Sequence, residues 1–385
     1  MDNDFYINFL DSSEKTIQNG SAPATFKLRN ERNVFSDINS TCSRLYNARL
    51  RTIENLDDEL NRFESQFTNK HNSIFWASDF NDVFDSLKRL FKSEKTKSVR
   101  LPNVNASTVF RELGIKFFLS DQKIELREDA DMQFFAADMM FSDTGSLLLL
   151  NQTNNTLSKL SNSRTNVIFT TIDRILGNTD WVETIQQLTA YRNGGALQDM
   201  IVFKGSPNCS NYLFIIDNQR SNILAEKNIR KSLACIDCGR CNDVCPVFQT
   251  IGDEPYNNVF TGPVAHITLP FLETFESYKY LSYACTLCGA CEEVCPLSLP
   301  IRDMIIDVRQ SFFSDEVMDK EDRRKLVVTR KTLSNRSKMN GAAFLRHLLL
   351  SKITSSDIKK TRRLPAFSPE TFNKLYQNKK EENEK

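Results

Sequence analysis

Apolar positions in the first half of the chain switch between a helical and an extended rhythm. Between Leu45 and Phe67, Ile53, Leu56, Leu60, Phe63 and Phe67 recur at helical spacing with charged residues on the other faces, which predicts an amphipathic helix. Ser73 to Ala77 reads as extended. Asp79 is then a candidate N-cap for a helix whose stripe is Phe80, Val83, Phe84, Leu87 and Phe91. Ser98 to Leu101 reads as a strand, Ala106 to Leu113 as a helix closed by Gly114, and Lys116 to Leu119 as another strand. Further strands are predicted at Asp138 to Phe141, Ser146 to Leu150, Asn166 to Thr170 and Tyr212 to Ile216, followed by a short helix from Ala225 to Leu233. Strands alternating with helices imply an α/β domain with a largely parallel sheet.

After residue 233 the pattern changes. Cys235, Cys238, Cys241 and Cys245 are followed by Pro246, and the same CxxCxxCxxxCP spacing returns at Cys285, Cys288, Cys291, Cys295 and Pro296. Three thiols within seven residues, then a fourth and a proline, suit a cubane of four irons and four sulfides. In the two-cluster arrangement each run gives its fourth cysteine to the other cluster. Cys235, Cys238, Cys241 and Cys295 are therefore expected on one [4Fe-4S] cluster, and Cys285, Cys288, Cys291 and Cys245 on a second. Structural zinc takes its ligands as two separated pairs, which would leave the third cysteine of each run surplus. A disulfide framework fits poorly, because the chain is long enough to bury a core and no apolar export segment follows Met1. Cys42 and Cys209 read as ordinary free thiols.

Gly239 and Gly289 follow the second cysteine of each run, where tight turning would let backbone amides reach sulfur. Helical spacing marks both the segment between the runs, through Leu269, Phe271, Leu272, Phe275 and Tyr278, and Pro300 to Phe313. An all-α ferredoxin-like domain accounts for both. The expected organisation is a helical segment over 1–70, an α/β domain over 71–222, the cluster domain over 223–312 and a basic region over 313–385.

Composition narrows the function without naming it. Among 385 residues, 50 lysines and arginines balance 49 acidic residues, and no apolar run is long enough to span a bilayer, so a cytoplasmic protein is expected. Near-neutral charge without a recognised module disfavours nucleic acid. The three histidines, His71, His266 and His347, share no motif and read as surface or packing residues. No phosphate loop, dinucleotide fingerprint or nucleophile elbow is present. Asp143, Thr144, Gly145 and Ser146 form a loop between two apolar runs. It could offer hydroxyls and amides to an anion, but the same residues are good chemistry for a plain tight turn.

Several segments together resemble lactate utilization protein B, the iron-sulfur subunit of an L-lactate oxidation system. They are the loop in Asp138 to Leu150, the step Asp217-Asn218-Gln219-Arg220-Ser221, the two cysteine runs, Gly252 to Pro263, and Arg363-Leu364-Pro365 with Phe372. Gln219 stands where that family often has glycine, and its lysine-serine-rich strand is reduced to Lys97-Ser98. The resemblance implies a lactate-utilization domain of the sugar-phosphate isomerase and coenzyme A transferase type (NagB/CoA-transferase-like) before the ferredoxin domain. It also implies a relay role in oxidising L-lactate to pyruvate, beside a cysteine-rich subunit and a second protein with a lactate-utilization domain. On that reading the chain is not the catalytic centre alone. A relay for another dehydrogenase or reductase, of glycolate oxidase or heterodisulfide reductase type, and a cluster-based redox sensor are the alternatives.

From Arg309 onward basic residues outnumber acidic ones by about two to one. An acidic partner subunit or peripheral contact with the inner membrane face would suit that charge. A solvated helix face and a frayed tail from Gln377 explain it equally.

Overall fold

The computed structural model describes residues 38–68, 72–101, 108–128, 132–150, 163–190, 200–253, 260–273, 281–314, 320–335 and 372–383, with single positions 130, 160, 256 and 278. It divides into two compact units, Met1–Gln310 and Ser311–Lys385. In the first, helices α1 (Ile38–Glu54) and α2 (Leu56–Thr68) precede strand β1 (Asn72–Ala77), and α3 (Phe80–Glu94) leads to β2 (Ser98–Arg100). Helices α4 (Thr108–Leu113) and α5 (Ile115–Asp121) are followed by β3 (Glu125–Leu126), β4 (Met132–Ala136), β5 (Met139–Phe141) and β6 (Ser146–Leu150). Then come β7 (Thr165–Thr171), β8 (Ile175–Leu176), α6 (Val182–Thr189), β9 (Met200–Phe203) and β10 (Ser210–Ile216).

Six strands form a parallel sheet in the order β1-β10-β7-β4-β2-β3. The order β8-β5-β6-β9 makes a second, mixed sheet of four strands. Alternation along the central strands decides what each face meets. Phe134, Val167, Phe169, Phe214 and Ile216 pack with Val83, Leu87, Phe110 and Phe118 from α3, α4 and α5. Their neighbours Phe135, Ile168, Leu213 and Ile215 turn the other way, onto Phe63 and Phe67 of α2 and Met140, Leu147 and Leu149 of the smaller sheet. The larger sheet is thus covered on both faces, as parallel sheets require.

The expected parallel α/β sheet is present, and Asp79 caps α3 by accepting from the amides of Asn81 and Asp82. Three local expectations change. The helix read from Leu45 to Phe67 is two helices interrupted at Asn55. Lys116 to Leu119 is not a strand but part of α5, where Ile115, Phe118 and Leu119 are buried at helical spacing and Phe117 is 83% exposed. The short helix begins earlier, as α7 (Arg220–Ala225), because Asp217 accepts from the Ser221 amide (2.8 Å) and hydroxyl (2.6 Å). Only a 3-10 turn, Arg230–Ala234, occupies the end of the predicted span. The start of the Ala106 to Leu113 expectation lies outside the described residues, as does most of 1–70.

The cysteine runs are joined by helices: α8 (Arg240–Val244), α9 (Pro246–Ile251), α10 (Gly262–Leu272), α11 (Leu281–Ala284), α12 (Ala290–Glu293) and α13 (Ile301–Ser314). In the second unit, α14 (Lys320–Leu333) carries Arg323, Arg324 and Lys325, and α15 (Phe372–Asn383) ends the described chain. The cluster from Lys359 to Arg363 lies outside the described residues. No described helix is long and apolar enough to cross a membrane.

Phe169 sits among Phe110, Phe134 and Phe214, with ring centroids 5.5, 5.2 and 5.3 Å away. We expect Phe169→Ala to destabilise by about 3–5 kcal/mol in urea unfolding. Phe117→Ser, at an exposed site, should change stability by less than about 0.5 kcal/mol.

Candidate iron-sulfur site

The chain enters the site through a buried set of charges. Asn218 and Gln219 turn it with φ of 40° and 66°, a left-handed geometry that explains why glycine suits the second position. Arg220 is thereby placed inside. Its Nη2 donates to both carboxylate oxygens of Glu112 (2.8 and 3.0 Å), and its Nε lies 2.8 Å from Asp173 Oδ1. Burial alone would raise the Asp173 carboxyl, but Arg220 and Arg174 hold it below the usual range. Arg174 reaches on to Asp237, inside the first cysteine run, at 3.7 Å.

A second guanidinium, Arg49 of α1, is wholly buried. It donates to the carbonyls of Asp173 (2.8 Å), Ile175, Leu233 (2.6 Å) and Ala234 (3.4 Å), the last two directly before Cys235. Burial lowers its pKa to about 10, leaving it charged at neutral pH. Arg309 of α13 plays the corresponding part at the second run, donating to the carbonyls of Ser282 and Cys285 (2.6 Å each). Neither has a carboxylate within ion-pair distance among the described residues.

The two runs fold alike. Asp237 and Leu287 both have φ of 56°, and Gly239 and Gly289 have φ of 78° and 83°. This turn aims the amides of Asp237 and Leu287 at the sulfurs of Cys235 and Cys285, each at 3.3 Å. The glycines then start α8 and α12, which carry Cys241 and Cys291. Cys245 caps α9, where Pro246 occupies the first turn and the Phe248 amide approaches its sulfur at 3.5 Å. After Cys295 the chain turns back on itself, the Ser298 amide donating to the Cys295 carbonyl at 3.0 Å.

Cys245 does not stay with its own run. It lines a small hollow with Cys285, Cys288 and Cys291. The Cys241 thiol is raised well above its ordinary value by burial, then by Cys235, Cys238 and Cys295, with Cys291 adding less. Around Cys245 and around Cys241, cysteines of the two runs come together. Only Cys288 among these eight is exposed, and no disulfide joins any of the ten cysteines. Cys42 lies buried in α1, and the Cys209 thiol donates to the Leu160 carbonyl in the core at 3.4 Å.

The donor set fits an iron-sulfur cluster. Among the described residues no three His, Cys, Asp or Glu side chains converge tightly enough for a single ion. Sulfurs spread around a hollow, amides directed at them, and a carboxylate-free guanidinium beside each run suit a larger anionic group.

His266 is a functional candidate that sequence reasoning set aside as packing. It lines the same hollow, is 1% exposed, and pairs through Nε2 with the Tyr256 hydroxyl at 2.9 Å. Burial lowers its pKa to about 3. His71 and His347 lie outside the described residues. The Asp143–Ser146 loop is a packed turn. Asp143 accepts from the Thr179 amide (3.0 Å) and hydroxyl (2.8 Å), and Thr144 and Ser146 share a hydrogen bond of 2.7 Å. A Cβ on Gly145 would meet the Gln66 backbone at 2.6 Å.

Arg220→Met would leave the buried Glu112 carboxylate without its cation and Asp173 with Arg174 alone. We expect a loss of about 3–5 kcal/mol in thermal or urea unfolding. Burial and neighbouring charges push the Cys235 and Cys291 thiols up from 9.0 to about 12 in the metal-free protein. Folding then retains protons that the unfolded chain releases, so the associated stability is complete below pH 9.0 and is lost as pH rises toward 12. The urea midpoint of reduced, metal-free protein should fall across that window, and less steeply in Cys235→Ala.

Residues 231–299 match the family described as a 4Fe-4S dicluster domain. Lactate utilization protein B of Bacillus thuringiensis (strain Al Hakam) is 26% identical over 210 residues, covering 52% of this chain and 44% of that protein. The proteins of that name from Bacillus cereus (strain AH187) and Bacillus anthracis (strain CDC 684 / NRRL 3495) align with the same identity and coverage. A DUF162 family protein from Deinococcus radiodurans aligns with a TM-score of 0.31 and 13% identity, over 42% of this chain and 98% of that one. The chain spans about 44% of the length of the relatives it matches; it resembles lactate utilization protein B over that span and a 4Fe-4S dicluster domain over residues 231–299.

Proposed function

We propose that this chain is the electron-transfer subunit of an assembly that oxidises L-lactate to pyruvate. Two [4Fe-4S] clusters would be held in an all-α ferredoxin-like domain, one by Cys235, Cys238, Cys241 and Cys295 and the other by Cys285, Cys288, Cys291 and Cys245. The observation that carries this reading is Cys245, which leaves its own run to line the hollow of the second. Sharing of the fourth cysteine is the two-cluster arrangement. The lactate assignment rests on the similarity to lactate utilization protein B.

Oxidising lactate to pyruvate releases two electrons and two protons. A [4Fe-4S] cluster, when bound, accepts and returns one electron at a time. This chain's part is to hold two such centres close together, exclude water and direct amides at their sulfurs. The centre that takes electrons from lactate would lie in a partner, with a cysteine-rich subunit and a second lactate-utilization-domain protein as the proposed companions. Exposure of Cys288 supports exchange with a partner at the second group of cysteines. We place the assembly in the cytoplasm, with the basic helix α14 as a candidate for peripheral contact with the inner membrane face.

Protein purified anaerobically should contain about eight irons and eight sulfides per chain, with interacting spin signals on reduction. Cys245→Ser should perturb the signal of the second cluster, and Cys295→Ser that of the first. Bound zinc without sulfide would sink the cluster assignment. Deletion of the gene should abolish growth on L-lactate in a strain lacking another lactate pathway. Unaltered lactate oxidation there would redirect the relay to a different dehydrogenase.

A further inference from the structure

His266 lies on α10 between Pro263 and Leu272, in a segment whose other residues are almost all apolar. Its Nε2 faces the Tyr256 hydroxyl at 2.9 Å, and Tyr256 is itself fully buried. The phenol can donate or accept, but among the described residues its proton has no other acceptor, so it donates and the ring nitrogen opposite accepts. A neutral imidazole that accepts at Nε2 carries its proton on Nδ1. That Nδ1 is buried and finds no acceptor among the described residues, although His266 lines the hollow formed by Cys245, Cys285, Cys288 and Cys291. Buried donors are rarely left without an acceptor, and the sulfurs of a bound cluster are acceptors.

We propose that His266 donates its Nδ1–H to the second cluster, and that Tyr256 fixes the tautomer that makes this possible. The inference rests on the two-cluster reading above and adds a side-chain hydrogen bond to the backbone amides already directed at that group. A donor to cluster sulfur stabilises the more negative, reduced form and so raises its potential. His266 is a positioning and tuning residue that acts through the cluster, not a catalytic one.

The test uses the full chain, purified anaerobically and labelled with 15N at histidine Nδ1. Only three histidines are present, so the label is nearly site-specific. Pulsed electron spin resonance of the reduced protein should show a 15N coupling, retained in the His71→Gln/His347→Gln double variant and lost in His266→Phe. Tyr256→Phe releases the tautomer and should weaken the coupling. In redox titrations His266→Phe should shift the second cluster to a lower potential and leave the first unchanged. Iron-replete wild-type protein with no 15N coupling would overturn the inference alone, even if the variants failed to fold. Wild-type protein without iron and sulfide would overturn the cluster reading, and the inference with it.

Discussion

A guanidinium taken out of water must be met by carboxylates or by several carbonyls, and Arg220 meets two carboxylates at once. Glu112 comes from α4 on one face of the large sheet, Asp173 from the link between β7 and β8, and Arg220 itself from the first turn after β10. Three separate pieces of the α/β region are fixed by one side chain. Breaking any member would strand a buried charge, so the geometry is held strongly even where the pair contributes little net stability. Arg174, beside Asp173, carries the constraint onward to Asp237 in the first cysteine run. The sheet and the cysteine region therefore meet through charge, and the turn after β10 delivers the chain to Cys235 along a defined path.

Around the cysteines the same device recurs in a different form. Arg49 reaches from α1 and Arg309 from the helix after the second run, and both grip carbonyls beside the first cysteine of a run. The runs repeat each other in spacing, in left-handed turns and in amide-to-sulfur contacts, and their anchors come from opposite sides in sequence. Each guanidinium brings positive charge to a place where thiolates and sulfide would concentrate negative charge. Packing alone would not require an arginine at either position.

What could be read from the sequence depended on how local the cause was. Cysteine spacing, the two glycines and the cap at Asp79 act within a few residues, and each stands where the sequence placed it. The α/β class was legible because β7 and β10 carry unbroken apolar stretches, Val167–Phe169 and Tyr212–Ile216, in a sheet covered on both faces. Strand β4 and the second sheet were missed. The segments β8 and β9 are too short to carry a period, and their pairing depends on β5 and β6. Around Lys116 to Leu119, the five residues from Ile115 to Leu119 carry four apolar side chains and fit a strand or a helix, and tertiary burial of Ile115, Phe118 and Leu119 selected the helix. The roles of Arg49 and His266 were invisible for another reason. Arg49 has carbonyl partners more than a hundred residues away, and a lone histidine in an apolar helix looks like packing until the hollow beside it is known.

The two groups of cysteines also differ in their surroundings. Asp173, Arg174 and Asp237 stand beside the first run, with Arg49 buried behind it. The second opens at Cys288, next to the partly exposed Arg302, while its inner wall holds His266 and Tyr256. Electron exchange with another protein needs a short path through the surface, and the second group offers one. Tuning from buried charges needs low dielectric, and the first group has more of it. On the proposed relay, the open side at Cys288 is where exchange would occur, while the fixed charges of Asp173, Arg174 and Asp237 lie beside the other run.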